Sequence, residues 1–229
     1  MTGGYYNFSN IRYAAPPLGQ LRFAAPQPPI VNRSFVETGS AGRVCAQANP
    51  NWLPTSAEFL PAYFTGEIYN VSNPVSVSPN TSLPYDENDP RIAEDCLFLD
   101  VLVPDKVFES TVVGYGAPVL VWIHGGGYIG GEKVGTFDPA GLLARSRDDS
   151  FPGLIYVAMN YRLGAFGWLA GPSLQADGMA NTGLLDQEMA LQWVQNNIHL
   201  FGGDKNRVTV LGESSGAGSI AHQVTVSLL

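Results

Sequence analysis

The chain has 229 residues, 45% of them apolar and only 14% charged, with a formal net charge of −8. Such a balance excludes general disorder, and a domain of this length buries about 70% of its unfolded surface, enough for a real core. The acidic sign, with no Lys/Arg cluster to override it, argues against a nucleic-acid partner or an anionic lipid surface.

The longest strongly apolar stretch, Ala117 to Ile123, is about a third of what a membrane-spanning helix needs. The first ten residues hold neither a basic cap nor an apolar run, so no signal peptide is visible. Residues 1 to about 93 are rich in Pro and in loop-forming residues and predict only short extended pieces. Glycosylation sequons stand at Asn7, Asn32, Asn70 and Asn80, all within this loop-like part. A glycan acceptor needs an exposed loop, which this composition predicts. Two cysteines, Cys45 and Cys96, are compatible with a pair of buried thiols in a reducing compartment. The sequons favour the other reading, an oxidising compartment with a Cys45–Cys96 disulfide. Closing that loop would contribute about 4 kcal/mol in the chain-entropy treatment.

Beyond residue 93 the texture changes. Leu97–Val103 reads as a strand, and Pro118–Ile123 is a continuous apolar run expected of a strand covered on both faces. Leu154–Met159 and Val208–Leu211 read the same way. Helical patterns lie between them, a short one near Asp138 to Arg145 and a longer one from about Gly183 to Leu200. In the longer one, Leu185, Met189, Trp193 and Ile198 form a rough apolar stripe, Thr182 stands as its cap, and Gly202-Gly203-Asp204 ends it. Strands alternating with helices predict an α/β domain with a mixed, mainly parallel sheet.

Two motifs carry chemistry. Strand Val208–Leu211 runs into Gly212-Glu213-Ser214-Ser215-Gly216 and then a small-residue helix start. This is G-x-S-x-G in a strand–turn–helix setting, where a turn tight enough to strain a nucleophile leaves no room for side chains two residues either side. The second motif, His124-Gly125-Gly126-Gly127, follows strand Pro118–Ile123. Consecutive glycines let backbone N–H groups converge on one oxyanion, each donor worth about 3–4 kcal/mol in an acyl-transfer transition state. Active sites of open α/β sheets lie off such strand ends. A rival reading exists, because Gly125 to Gly130 also satisfies the dinucleotide pattern G-x-G-x-x-G. That pattern needs an acidic residue at the end of the next strand, where Asn160 stands, while Asp148 and Asp149 precede it.

Taken together, these residues resemble the type B carboxylesterase family, the cholinesterase-like and fungal-lipase-like branch of the α/β-hydrolases. Tyr13 to Phe23 resembles its N-terminal motif, and Glu94 to Val101 its second signature, with Asp100 where Asn is usual. Asn160 to Gly167, Asn181 to Gln187 and Phe201 to Asp204 fit in the same order. The resemblance implies the N-terminal part of an α/β-hydrolase fold that cleaves carboxylic esters, small-molecule or lipid, without a metal or organic cofactor. It implies Ser214 as nucleophile, backbone N–H groups of Gly126, Gly127 and Ser215 as the oxyanion hole, and Glu213 as a carboxylate beside the nucleophile. Ser215 replaces the family's usual Ala, but the backbone donor survives. The same likeness implies the Cys45–Cys96 disulfide and Arg22–Glu94 and Arg162–Asp186 ion pairs with structural roles, while the sequons and cysteines point to a secreted parent protein. No counterpart of the cholinesterases' specificity Trp is found, since Trp52 lies elsewhere, so choline esters are not supported.

A serine nucleophile needs a histidine base and an orienting acid, in the chain order Ser, acid, His for this fold. No Asp or Glu follows Glu213, and His222, eight residues on, is the only later histidine. In the same helix it would stand about 12 Å along the axis from Ser214. His124 and His199 read as structural. The chain therefore reads as a domain truncated at both ends, inactive alone and with an apolar, unpaired sheet edge. The competing expectations are a non-catalytic adhesion or scaffold protein on the same fold, and an inert truncated product.

Overall fold

The computed structural model describes residues 4–30, 34, 37–39, 41–48, 52–68, 88–109, 116–135, 137–148 and 151–226. Five strands form one sheet: β1 (Tyr5–Arg12), β2 (Phe98–Pro104), β3 (Ala117–Ile123), β4 (Ile155–Met159) and β5 (Gly203–Gly212), in the order β1-β2-β4-β3-β5. β2 runs antiparallel to both neighbours, whereas β3 is parallel to β4 and to β5. Four strands therefore point one way and β2 the other, a mixed and mainly parallel sheet.

Side-chain alternation along the central strands feeds two cores. Leu99, Val101, Val121, Ile123, Val157 and Met159 face one side and pack with Ala190 and Val194 of α6 (Thr182–Asn197). Leu102, Trp122, Tyr156 and Ala158 face the other, against Leu143 of α3 (Ala140–Arg145), with the Trp122 and Phe137 rings 4.9 Å apart. Burial on both faces is why β3 and β4 read as unbroken apolar runs. Asp138 Oδ1 accepts the Ala140 N–H at the start of α3, so the expected helix begins two residues later than its acidic neighbour.

Three expectations are corrected. First, the N-terminal part holds more than short extended pieces. It supplies β1 and a 14-residue helix, α1 (Trp52–Thr65), whose interior Pro61 disguised it. Asn7 accordingly lies in a strand, though exposed on its outer edge; Asn32, Asn70 and Asn80 fall outside the described residues. Second, Thr182 does not cap α6. Asn181, in the left-handed region at φ 55°, holds that position, and the Thr182 hydroxyl donates to Phe166 O. Third, the deeply buried face of α6 carries Asp186, Gln187, Ala190 and Val194, while Leu185, Met189 and Trp193 are only half-buried.

The polar members of that inner face are paired, although Gln187 Oε1 has no hydrogen-bond partner among the described residues. Arg162 donates two guanidinium bonds to Asp186, 2.8 and 2.7 Å, and its backbone N–H a third. Gln187 Nε2 donates to Ser219 Oγ at 3.0 Å. Arg22 and Glu94 pair at 2.7 Å nearer the surface. Cys45 and Cys96 form a disulfide whose two residues are buried in the larger core. No helix among the described residues is long and apolar enough to cross a membrane. β5 is an edge strand, with Val208 and Val210 partly buried and Leu211 43% exposed.

Candidate active site

Parallel neighbours β3 and β5 bring the two motifs together. Ile123 at the end of β3 is in register with Gly212 at the end of β5, so His124–Gly127 and Glu213–Ser215 leave the sheet side by side. That spot lies off the carboxyl ends of parallel strands.

Ser214 sits at φ 52°, left-handed backbone that a side-chain-bearing residue adopts only under constraint. The constraint comes from its flanking glycines. A Cβ on Gly212 would fall 2.5 Å from the Gly216 carbonyl carbon, and one on Gly216 would meet the Ile123 carbonyl oxygen far inside contact distance. The Gly216 N–H donates to Glu213 O at 2.8 Å and closes the turn, and α7 (Ser215–Val226) begins at once. Ser214 and Glu213 are exposed, and Ser215 is buried. The helix presents its positive end to the Ser214 side chain.

The glycine run turns back on itself: Gly126, Gly127 and Tyr128 have φ of 110°, 62° and 64°. Ile129 and Gly130 both donate N–H bonds to Gly126 O at 3.1 Å. These two bonds occupy the Gly126 carbonyl. No helix opens here, since α3 starts only at Ala140, and the dinucleotide reading therefore fails: its phosphate site needs a helix N-terminus at the glycines. The loop touches the serine turn directly. An ideal Cβ on Gly125 would lie 2.8 Å from Glu213 O and 3.0 Å from Ser214 Cβ. Tyr128 N–H also donates to the Ser215 hydroxyl at 3.3 Å, a bond that the family's usual Ala could not accept. An alanine at position 125 would therefore force the loop and the serine turn apart.

His124 is no base for Ser214. Its ring is buried and stacked on Tyr161 at 4.3 Å, with Nδ1 2.8 Å from Gly125 O, while the Tyr161 hydroxyl donates to His124 O. The short contact to a carbonyl assigns the proton to Nδ1, and Nε2 has no hydrogen-bond partner among the described residues. Burial therefore depresses the imidazole from 6.5 to about 4. Between those values the unfolded chain binds a proton that the folded chain refuses. The stabilisation is complete above pH 6.5 and falls by about 3 kcal/mol as the pH drops to 4. Urea midpoints of the full-length protein should decline through this window, and His124→Gln should flatten the slope. His199 and His222 are both exposed.

Residues that sequence reasoning passed over hold the loop's far end. Gln47 makes a two-point bond with Gly131: its Nε2 donates to Gly131 O and its Oε1 accepts Gly131 N–H, both at 3.1 Å. Arg91 grips Glu132 at 2.8 Å. Lys133 Nζ reaches Asp100 at 2.8 Å, with side chains only 3% and 4% exposed, and its N–H donates to Asn160 Oδ1. Asp100 also accepts the Asn10 N–H at 2.8 Å. The unusual acid at 100 was the one available signal of this buried pair.

A mainly parallel sheet that delivers a left-handed serine turn and a glycine loop to one point belongs to the α/β-hydrolase class. The sequence profile of the carboxylesterase family matches residues 1–228, and the chain belongs to that family. It is 44% identical over 236 residues to carboxylesterase patB of Penicillium expansum, covering 98% of this chain and 42% of that protein. Lipase 4 of Diutina rugosa is 38% identical over 223 residues, covering 95% of the chain and 36% of the relative. Among solved structures, EstA of Aspergillus niger superposes with a TM-score of 0.71 at 30% identity, over 96% of this chain and 34% of its own. The chain thus spans about two-fifths of the length of the relatives it matches.

Proposed function

We propose that the protein containing this chain hydrolyses carboxylic esters through an acyl-enzyme on Ser214. The observation that carries the reading is the direct apposition of the left-handed Ser214 turn and the Gly125–Tyr128 loop. Ser214 Oγ attacks the ester carbonyl carbon and forms the Oγ–C bond as its proton passes to a histidine base. The carbonyl oxygen becomes an oxyanion, which the N–H groups of Gly126, Gly127 and Ser215 stabilise. Collapse expels the alcohol, to which the histidine returns the proton, and water then cleaves the acyl group by the same route. Glu213 flanks the nucleophile and lends its carbonyl to the turn.

The base and its orienting acid are not among residues 1–229. No carboxylate follows Glu213, His124 is buried with its Nδ1 proton committed to a carbonyl, and His222 lies two turns down α7. Residues 1–229 are in this reading the N-terminal part of one hydrolase domain. The Cys45–Cys96 disulfide supports an oxidising compartment, and the exposure of Asn7 is compatible with glycosylation there. Retention of Ser214, Glu213 and the glycine loop together weighs against a purely adhesive role. The test compares two proteins on 4-nitrophenyl butyrate. Residues 1–229 alone should turn it over no faster than their Ser214→Ala variant, while the full-length protein should show Ser214-dependent turnover. Equal turnover by the short chain and the full-length protein would refute the assignment of the base.

A further inference from the structure

Resting on the Ser214 reading, we propose that Gln47 is a positioning residue for the glycine loop, acting through Gly131 and His124 on the donors at Gly126 and Gly127. Gln47 touches neither motif, and its sequence neighbourhood gave no hint of a role.

The linkage is continuous and close-packed. Gln47 pairs both backbone groups of Gly131, as a neighbouring strand would, and the next residue's N–H donates to Ile129 O at 2.9 Å. Two adjacent points of the loop are therefore fixed in direction and depth. Gly131 has φ 109° and no space for a Cβ, which would lie 2.5 Å from Gly125 O and collide with the His124 ring. Gly125 in turn has no space against Glu213 and Ser214. A shift of Gly131 on its Cβ side therefore runs into His124 and Gly125, and from there into the distance between loop and serine turn.

Gln47 is itself well anchored. It lies two residues from Cys45, whose disulfide is buried in the core. The preceding Val44 exchanges backbone bonds with Arg91 and Ala93 at 3.0 and 2.9 Å. A long amide side chain on a rigid stem can hold a loop at a set distance, which an apolar residue of equal length cannot do. The loop's amides stabilise charge that exists only in the transition state, so misplacing them should lower kcat and spare KM.

The experiment uses the full-length protein and the variants Gln47→Met, which keeps the length without the bonds, and Gln47→Glu, which keeps the acceptor for Gly131 N–H. Active sites are titrated with a fluorophosphonate, so that kcat refers to competent molecules alone. Expected for Gln47→Met is about a tenfold fall in kcat per titrated site, KM within twofold, and a parallel rise in Ki for a trifluoromethyl ketone that mimics the tetrahedral adduct. Gln47→Glu should lose less. If Gln47→Met does not fold, the same measurements on Gln47→Glu decide, with a kcat fall and a matching Ki rise expected. An unchanged kcat per titrated site, or a change confined to KM, overturns the proposal. Should wild type and Ser214→Ala turn over equally, the esterase reading fails and this inference with it; a Ser214-dependent enzyme indifferent to position 47 defeats the inference alone.

Discussion

Ser214→Ala in the full-length protein is expected to lower kcat for a 4-nitrophenyl ester by about 10⁶-fold, with KM little changed. In the proposed mechanism, removing the hydroxyl deletes the atom that bonds the acyl group, and in serine hydrolases losing the nucleophile alone costs about as much as losing the whole catalytic set. A residual rate about 10³-fold above water should survive, since the proposed oxyanion donors at Gly126, Gly127 and Ser215 do not depend on the hydroxyl. The variant should fold normally: Ser214 is exposed, and no hydrogen bond of its hydroxyl supports the turn among the described contacts. Steady-state kinetics beside a urea midpoint separate the two effects. A residual activity near wild type would mean that another group carries the chemistry.

The second large effect is on stability. Asp100→Asn should destabilise the fold by about 3–5 kcal/mol, because it strands the Lys133 ammonium where its side chain is 3% exposed. Asparagine keeps the shape and can still accept the Asn10 N–H through its amide oxygen, so the loss isolates the missing charge. Adding Lys133→Met should recover most of it, because the double variant no longer buries an uncompensated ammonium. Urea denaturation of the two single variants and the double variant measures the coupling. Near-additive losses would show that the ammonium finds other solvation.

Legibility in the sequence followed the physics of each element. β3 and β4 are buried on both faces and announce themselves as apolar runs, and the two glycine-bearing turns announce positions where no side chain fits. The buried face of α6 was misjudged because Asp186 and Gln187 point inward, paired with Arg162 and Ser219. Hydrophobic periodicity cannot see a polar residue that is buried because it is paired. α1 was hidden by the proline in its interior, and Asn181 by its left-handed backbone, which no composition signal marks. At the candidate site, Ser214 and the glycines were readable as local motifs. Gln47 and Lys133 were not, since each acts on a partner dozens of residues away. The Asp100 departure was visible, but its meaning required the ammonium of Lys133 beside it.

The most direct measurement is covalent capture. Full-length protein treated with a fluorophosphonate and digested should carry one adduct, on the peptide containing Gly212–Gly216 with the mass shift on Ser214, and heat-unfolded protein should carry none. Labelling that is absent from the folded protein, or that falls on a different residue, would contradict the account.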